Sequence, residues 1–313
     1  MRSACDVPFP ARTPAPEATA RRSIIIATDG TSQSDGAVRV ARALAQRDGL
    51  SADLLSVVEP MPVFPNEGVL LADLDHLTGI AREGRAESLL RQRDRTHPGI
   101  RDWPFDIETG PRVETIVARA ERADAALILL GIGAHGVGAR LMQRETAVRV
   151  TRAARCPVLA LPSDAWGVPH SAIVAVDFTP SSDHAALMAL SLLGHHGVLY
   201  LAHVLPRVVI PQGDPRPFDQ VTGAESTLTR LRELERRLAP PPGVHVEHVI
   251  SHGDPVHELV AFATQYRIDM IAAGTHGKSA LERLVLGSVS TSLLRTAPCW
   301  VLVAPPSTLP LTH

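Results

Sequence analysis

Short apolar runs alternate with longer amphipathic segments along most of the chain. The apolar runs are rich in Ile, Val, Leu and Ala and predict strands that are buried on both faces of a sheet. The segments between them have the 3.6-residue periodicity of helices. The predicted strands of the first half cover residues 23–29, 52–58, 103–109, 125–130 and 157–161. Those of the second half cover residues 172–177, 198–204, 244–250, 268–273 and 299–303.

The second half of the chain repeats the first. Asp29, at the end of the first predicted strand, corresponds to Asp177, and a glycine loop that begins at Gly133 corresponds to one that begins at Gly274. Such pairs lie between 141 and 148 residues apart, which predicts an internal duplication. The predicted organisation is a disordered tail (1–22), a first domain (23–162), a linker (163–170), a second domain (171–305) and a short tail (306–313).

Five alternating strand and helix units in each half predict the α/β class. We expect two tandem Rossmann-like domains, each a five-stranded parallel sheet with helices on both faces. Ligands of such sheets bind at the carboxyl ends of the strands, at the point where the strand order reverses. That point lies between the first and fourth strands, so Asp177 and Gly274 are expected to lie close together there.

Composition narrows the choice of partners. The chain has 31 basic and 33 acidic residues, so no strong overall charge favours nucleic acid or an anionic membrane as a partner. No apolar run approaches the ~20 residues that a membrane-spanning helix needs. Three cysteines without a CxxC pair are typical of a reducing compartment, and we expect a cytoplasmic protein. Cys156 and Cys299 begin the last strand of each half and are expected to be buried apolar fillers.

A glycine-rich stretch follows the predicted strand 268–273. Gly274 and Gly277 have no Cβ, so backbone N–H groups can approach an anion closely and positive φ angles are accessible. Gly287 is predicted to break a helical turn, and Ser288 to be the N-cap of the next helix. A helix N-terminus attracts phosphate through its free N–H groups and its dipole. The spacing Gly-x2-Gly-x9-Gly-Ser therefore predicts a phosphate cradle.

This pattern resembles the nucleotide-binding signature of the universal stress protein family, in its ATP-binding branch. The resemblance covers nearly all of residues 23–305 and implies an adenine nucleotide α-hydrolase-like fold. Members of the family usually pair through their last strands, so two copies in one chain imply an intramolecular pseudo-dimer. Whether two such chains pair further as a homodimer stays open.

The resemblance also implies ATP as the ligand of the second domain, with or without Mg²⁺. Asp177 would contact the ribose or base, and the backbone at Val204 would meet the adenine. The residues implied for the phosphates are Gly274, Gly277, Gly287, Ser288, Val289 and Ser290.

The first half departs from the signature. Thr146 stands ten residues after its second glycine, where the signature has Gly, and a two-residue shift gives Arg144 and Glu145. Glu145 is expected to repel phosphate there, so we predict that the first domain binds ATP poorly or not at all. A different anion held by Arg140 and Arg144 stays open.

Two further groups of side chains invite a functional reading. Arginines of the predicted helix 67–95 could bind anions, but interspersed acidic residues favour a solvated helix face. This cluster comprises Arg82, Arg85, Arg91, Arg93 and Arg95. Four histidines lack the spacing of a zinc site, so no metal site is expected. They are His245, His248, His252 and His257.

The sequence thus predicts a cytoplasmic stress-response or regulatory protein that binds ATP in its second domain, with an unknown protein partner. No Walker motif or nucleophile elbow is present, and the function needs no catalysis. Weak ATP hydrolysis, or autophosphorylation at Ser288 or Ser290, stays open. The alternatives are an interaction module with vestigial nucleotide grooves and a nucleotidyl transferase or ligase of the related α-hydrolase superfamily.

Overall fold

The computed structural model describes residues 23–60, 71–98, 104–133, 137–207, 223–275 and 286–306. Within these ranges, strands and helices alternate through both halves. The first half contains β1 (Ser23–Ala27), α1 (Asp35–Asp48), β2 (Ser51–Val58), α2 (Leu71–Thr96), β3 (Phe105–Thr109), α3 (Arg112–Arg122), β4 (Leu127–Gly131), α4 (Val137–Ala153) and β5 (Val158–Leu161). The second half contains β6 (Ser171–Ala175), α5 (Pro180–Leu192), β7 (Val198–Leu205), α6 (Ala224–Leu238), β8 (His245–His252), α7 (Pro255–Tyr266), β9 (Met270–Gly274), α8 (Ser288–Thr296) and β10 (Trp300–Ala304).

The strands form one ten-stranded sheet in the order β3-β2-β1-β4-β5-β10-β9-β6-β7-β8. Every pairing within a half is parallel, and the two halves join through an antiparallel pairing of β5 with β10. In each half the first strand lies between the second and the fourth, so the strand order reverses beside it. This confirms the predicted α/β class, with two tandem Rossmann-like domains arranged as a pseudo-dimer.

Both faces of the sheet are covered by helices. Successive side chains of a strand point to opposite faces, so Ile24 and Ile26 belong to one apolar cluster and Ile25 to the other. The first cluster also includes buried residues of α1, α5 and α6, and the second includes those of α3, α4, α7 and α8. The apolar runs are therefore buried on both sides, as the sequence pattern indicates.

Side chains from the first half also bond the second. The Arg47 guanidinium donates to the carbonyl oxygens of Leu192 and Leu193, both at 2.9 Å. Arg144 donates to the carbonyl oxygens of Leu294 (3.1 Å) and Ala297 (3.2 Å), at the end of α8. These bonds add to the β5–β10 pairing. Those of Arg47 tie α1 to the end of α5, and those of Arg144 tie α4 to α8.

One helix differs in extent from its prediction, with a consequence for the ligand site. The sequence predicts a helix that begins at Arg144, but α4 begins at Val137 and runs without a break to Ala153. Its counterpart α8 begins only at Ser288, directly after Gly287. In place of this glycine the first half has Thr146, or Arg144 after a two-residue shift, and neither residue breaks a helix as glycine does.

Candidate functional site

A cleft of about 750 Å³, partly open to solvent, lies at the carboxyl ends of β6, β7 and β9. Seven of the eight residues that the sequence singles out line it together: Asp177, Val204, Gly274, Gly287, Ser288, Val289 and Ser290. The eighth, Gly277, lies outside the described residues. Seven further residues line the cleft and were not singled out, among them His203, Pro255 and Leu259. The signal for His203 was its position directly before Val204 at the end of a strand.

The N-terminus of α8 forms one wall of this cleft. The backbone N–H groups of Ser288, Val289 and Ser290 have no acceptor among the described residues, as expected for the first turn of a helix. The Gly287 N–H is different, because it donates to the carbonyl oxygen of Thr275 at 2.6 Å. Three main-chain donors at the positive end of the helix dipole are therefore left for an anion.

The cap of α8 differs from its prediction by one residue. Gly287, and not Ser288, is the N-cap, because its carbonyl oxygen accepts the first helical hydrogen bond, from the Thr291 N–H at 3.0 Å. Ser288 is the first helical residue and its side chain is exposed. Its hydroxyl makes no capping hydrogen bond to the described residues and can serve as a further donor at the cleft.

The glycines of the cleft have a different physical role from the expected one. Neither Gly274 nor Gly287 adopts a positive φ angle. A Cβ on Gly274 would lie 2.6 Å from the Oγ atom of Ser181, so this glycine allows α5 to pack closely against β9. A Cβ on Gly287 would lie 3.2 Å from the carbonyl oxygen of Thr275, which is tight.

The Ser290 hydroxyl is committed to the protein. It donates to the carbonyl oxygen of Gly274 at 2.5 Å, and the residue is only 2% exposed. This bond joins the first turn of α8 to the end of β9. Ser290 can therefore offer a ligand its backbone N–H but not its hydroxyl. Of the two candidate serines for autophosphorylation, Ser288 is the more accessible.

Asp177 closes a turn with one oxygen of its carboxylate. Its Oδ1 atom accepts hydrogen bonds from the Thr179 N–H (3.1 Å) and the Thr179 hydroxyl (2.6 Å). No donor to its Oδ2 atom occurs in the part of the chain that the structure describes. The carboxylate thus stabilises the loop and still has an oxygen to accept a hydroxyl or amine of a ligand.

An aromatic group lies next to Asp177. The rings of Phe178 and His203 are 4.8 Å apart, and the Arg230 guanidinium lies 3.7 Å above the Phe178 ring. Phe178 has a φ angle of 62°, which is uncommon for a residue with a side chain. Backbone in this conformation is costly and often found at ligand sites. Gly30, the residue that follows Asp29 in the first half, has a similar φ angle of 76°.

The first domain has a corresponding cleft of about 560 Å³, at the carboxyl ends of β1, β2 and β4. Thr146 and Ala147 of α4 line it. Because α4 continues without a break past this point, their N–H groups lie in the interior of a helix, where they bond to the carbonyl four residues earlier. Among the described residues, the first cleft therefore has no counterpart of the α8 N-terminus.

The expected role of Glu145 is wrong. Glu145 does not line the first cleft, because its carboxylate pairs with Arg295 of α8 at 2.8 Å. Arg144 is also directed to α8, where it binds two carbonyl oxygens. The side chain of Arg140 lies outside the described residues. The unbroken helix, and not the charge of Glu145, distinguishes the first cleft from the second.

Comparison with known proteins agrees with the fold and the repeat. The model of the universal stress protein family matches residues 20–162 and again residues 170–305. The chain belongs to the universal stress protein family. The family's role in the stress response is thereby the general functional context of this protein.

Members of this family resemble the chain over most of its length. A universal stress protein of Mycolicibacterium smegmatis is 24% identical over 293 residues, which is 90% of this chain and 97% of that protein. One from Mycobacterium tuberculosis is 28% identical over 186 residues, or 58% of this chain and 62% of that protein. The crystal structure of a universal stress protein from Archaeoglobus fulgidus shares the fold, with a TM-score of 0.61, 19% identity and coverage of 92% and 97%.

The described residues of this universal stress protein offer neither a membrane-spanning helix nor a metal site. No helix in the described ranges is long and apolar enough to cross a bilayer. Within the same ranges, no three His, Cys, Asp or Glu side chains are grouped so that they could hold a metal ion.

The cysteines at the start of the last strands are partly, not fully, buried. Burial raises the pKa of the Cys156 thiol to about 11 and that of Cys299 to about 12. Because the thiolate is the nucleophile, we expect iodoacetamide at pH 8 to alkylate Cys156 about 100-fold more slowly than a cysteine of ordinary pKa. Mass spectrometry of a Cys5→Ala variant would measure this, with the urea-unfolded chain as control. Equal rates in the two states would contradict it.

Proposed function

We propose that this universal stress protein binds one ATP per chain, in the second-domain cleft, and acts as a non-catalytic cytoplasmic regulator in the stress response. The observation that carries the proposal is the exposed start of α8 beside Asp177. Three N–H groups without an acceptor among the described residues share a single cleft with a carboxylate that has one oxygen without a described donor. The strand order reverses at this place, which is where ligands of such sheets bind.

The phosphates would lie at the start of α8. The N–H groups of Ser288, Val289 and Ser290 and the Ser288 hydroxyl supply donors there, and Gly277 is the predicted further member of the cradle. The helix dipole favours negative charge at this end. Mg²⁺, if bound with ATP, would be held mainly by the phosphates and water, since it usually takes few protein ligands.

The adenosine would lie toward β6 and β7. The Oδ2 atom of Asp177 can accept a ribose hydroxyl, and the backbone at Val204 would face the adenine. His203 lines the same part of the cleft, and its Nδ1 atom bonds the Val176 carbonyl oxygen at 2.5 Å. This arrangement supports an adenine nucleotide more than phosphate alone.

A non-catalytic role fits the described lining of the cleft. Asp177 and His203 are its only titratable residues among those described, and both belong to the adenosine end. The family is generally non-catalytic, which agrees with this assignment. Occupancy could instead be reported through α8, which starts at the cleft and ends against Arg144 of the first domain. The protein partner that would receive the signal is unknown.

The adenosine contact can be tested with a matched pair of variants. Asp177→Asn retains an acceptor for Thr179 but replaces the free carboxylate oxygen with an amide donor. We expect ATP binding about tenfold weaker or more, because a hydrogen bond to a charged group is lost. Isothermal titration calorimetry of the full chain measures the affinity and the stoichiometry.

Asp29→Asn is the control, since the Asp29 Oδ1 atom accepts from the Thr31 N–H (3.0 Å) and hydroxyl (2.7 Å) in the same kind of turn. It should leave ATP binding unchanged. Absence of ATP binding by the unaltered chain at millimolar concentration would refute the proposal and favour the interaction module.

A further inference from the structure

The first-domain cleft has two arginines at its opening. Arg85 and Arg112 line the cleft and also an adjoining shallow cavity of about 700 Å³. By contrast, no arginine or lysine occurs among the described residues that line the second cleft. Among the described residues, the positive charge that faces a ligand therefore comes from guanidinium groups in the first cleft and from main-chain N–H groups in the second.

Arg85 is held beside the first cleft by a main-chain contact. Its Nη1 atom donates to the carbonyl oxygen of Asp29 at 2.7 Å, which fixes the side chain beside the cleft. No carboxylate lies within ion-pair distance of Arg85 in the described residues. Arg112 is less available, because it pairs with Glu59 at 2.6 Å. Guanidinium groups bind carboxylates and other oxyanions well, so Arg85 is suited to an anionic ligand.

Gln143 of α4 adds an unsatisfied acceptor to the same cleft. Its Oε1 atom is buried and has no hydrogen-bond partner in the part of the chain that is described. Leaving such a group unpaired is costly, and a ligand donor would satisfy it. The buried Gln92 nearby is different, because its Oε1 atom accepts from Thr28 (2.8 Å) and its Nε2 atom donates to Asp35 (3.0 Å). The polar atoms of the Gln92 side chain are thus satisfied within the domain, whereas the Gln143 Oε1 atom is left for a ligand donor.

Six of the other eleven lining residues are apolar, and the remaining five are Thr28, Asp29, Ser34, Gly131 and Thr146. The apolar side chains come from β1, β2, β4, α3 and α4, and they leave space for a flat or compact hydrocarbon group. They are Ala27, Leu55, Val57, Ile116, Leu130 and Ala147. An apolar pocket with a few converging polar groups is the usual form of a small-molecule site.

We propose that the first-domain cleft is a second ligand site, specific for a small organic anion that has an apolar body and one hydrogen-bond donor. Arg85 binds the anionic group, the apolar wall encloses the body, and Gln143 Oε1 accepts from the donor. The site lacks a counterpart of the α8 N-terminus, which makes it less suited to a triphosphate than the second cleft. Arg85 belongs to the arginine cluster of α2, which is predicted to be a solvated helix face, and this proposal gives it a binding role.

The test uses 4-hydroxybenzoate as the probe, with the full chain and calorimetric titration. Benzoate lacks the hydroxyl donor, and 4-hydroxybenzyl alcohol lacks the charge. We expect saturable binding of 4-hydroxybenzoate at concentrations up to about 10 mM, weaker binding of benzoate and still weaker binding of the alcohol. Arg85→Gln should weaken 4-hydroxybenzoate binding by about tenfold or more. Gln143→Leu should remove the difference between 4-hydroxybenzoate and benzoate.

The matched control is Arg82→Gln, on the exposed face of the same helix, where Arg82 contacts only Thr109 at 3.3 Å among the described residues. It should leave binding unchanged. The proposal is overturned if 4-hydroxybenzoate does not bind, if Arg85→Gln and Arg82→Gln behave alike, or if the three compounds bind equally. It is also overturned if ATP displaces the probe, because the probe would then occupy the second cleft. Failure of ATP binding itself would leave this result unaffected.

Discussion

Replacing Gly287 by glutamate is expected to weaken ATP binding by about 100-fold or more. Gly287 is the N-cap of α8, and its φ of −57° and ψ of 150° are accessible to any residue. A carboxylate at this position would lie beside the N–H groups that we assign to the phosphates. It would compete for these donors and repel the triphosphate. The two effects together cost more binding free energy than the loss of a single charged hydrogen bond.

The same substitution should not unfold the protein. An acidic residue at the start of a helix stabilises the helix by about 0.3–1 kcal/mol, which offsets the tight contact of its Cβ atom with Thr275. Titration calorimetry and thermal unfolding would be measured side by side. Thr146→Glu, which places the same charge in the first cleft, is the control and should retain ATP binding. If Thr146→Glu loses ATP and Gly287→Glu retains it, the assignment of the site to the second domain is wrong.

The grouping of the candidate site residues in one cleft could be predicted from the sequence, because they follow strand ends. Asp177, Val204 and Gly274 each come at or just after the carboxyl end of a parallel strand, and the sheet order brings those ends together. The internal repeat supports the same positions independently, because Asp29 and Gly133 of the first half correspond to Asp177 and Gly274. The fold could be predicted for the same reason, since strands buried on both faces are nearly uniformly apolar.

The roles of single residues were harder to predict, because they depend on contacts across the fold. Ser290 follows the cradle in sequence, yet its hydroxyl bonds back to Gly274. Glu145 falls beside the Gly-Ser position of the signature when the two halves are aligned, yet its carboxylate pairs with Arg295 of the other domain. Arg85 belongs to a helix whose charge pattern is typical of a solvated face, yet it lines a cleft. None of these partners is close in sequence, so local spacing could not identify them.

Replacing Arg144 by alanine is expected to lower the free energy of unfolding by about 2–4 kcal/mol. Arg144 donates to the carbonyl oxygens of Leu294 and Ala297, which end α8 and have no helical N–H partner of their own. Its removal leaves these carbonyls unsatisfied at a partly buried junction. The loss also removes a positive charge from the negative end of the helix dipole.

Urea unfolding of the full chain would measure this effect, with Arg149→Ala as the control on the same helix. The Arg149 side chain is 59% exposed and reaches Glu114 only at 4.0 Å, so its removal should change the unfolding free energy by no more than about 0.5 kcal/mol. Similar losses in both variants would show that Arg144 is not a specific link between the domains. A selective loss would show that α8, whose first turn forms the proposed phosphate cradle, is held at its other end by the first domain. The domain without the phosphate cradle would then have a definite role in supporting the domain that has it.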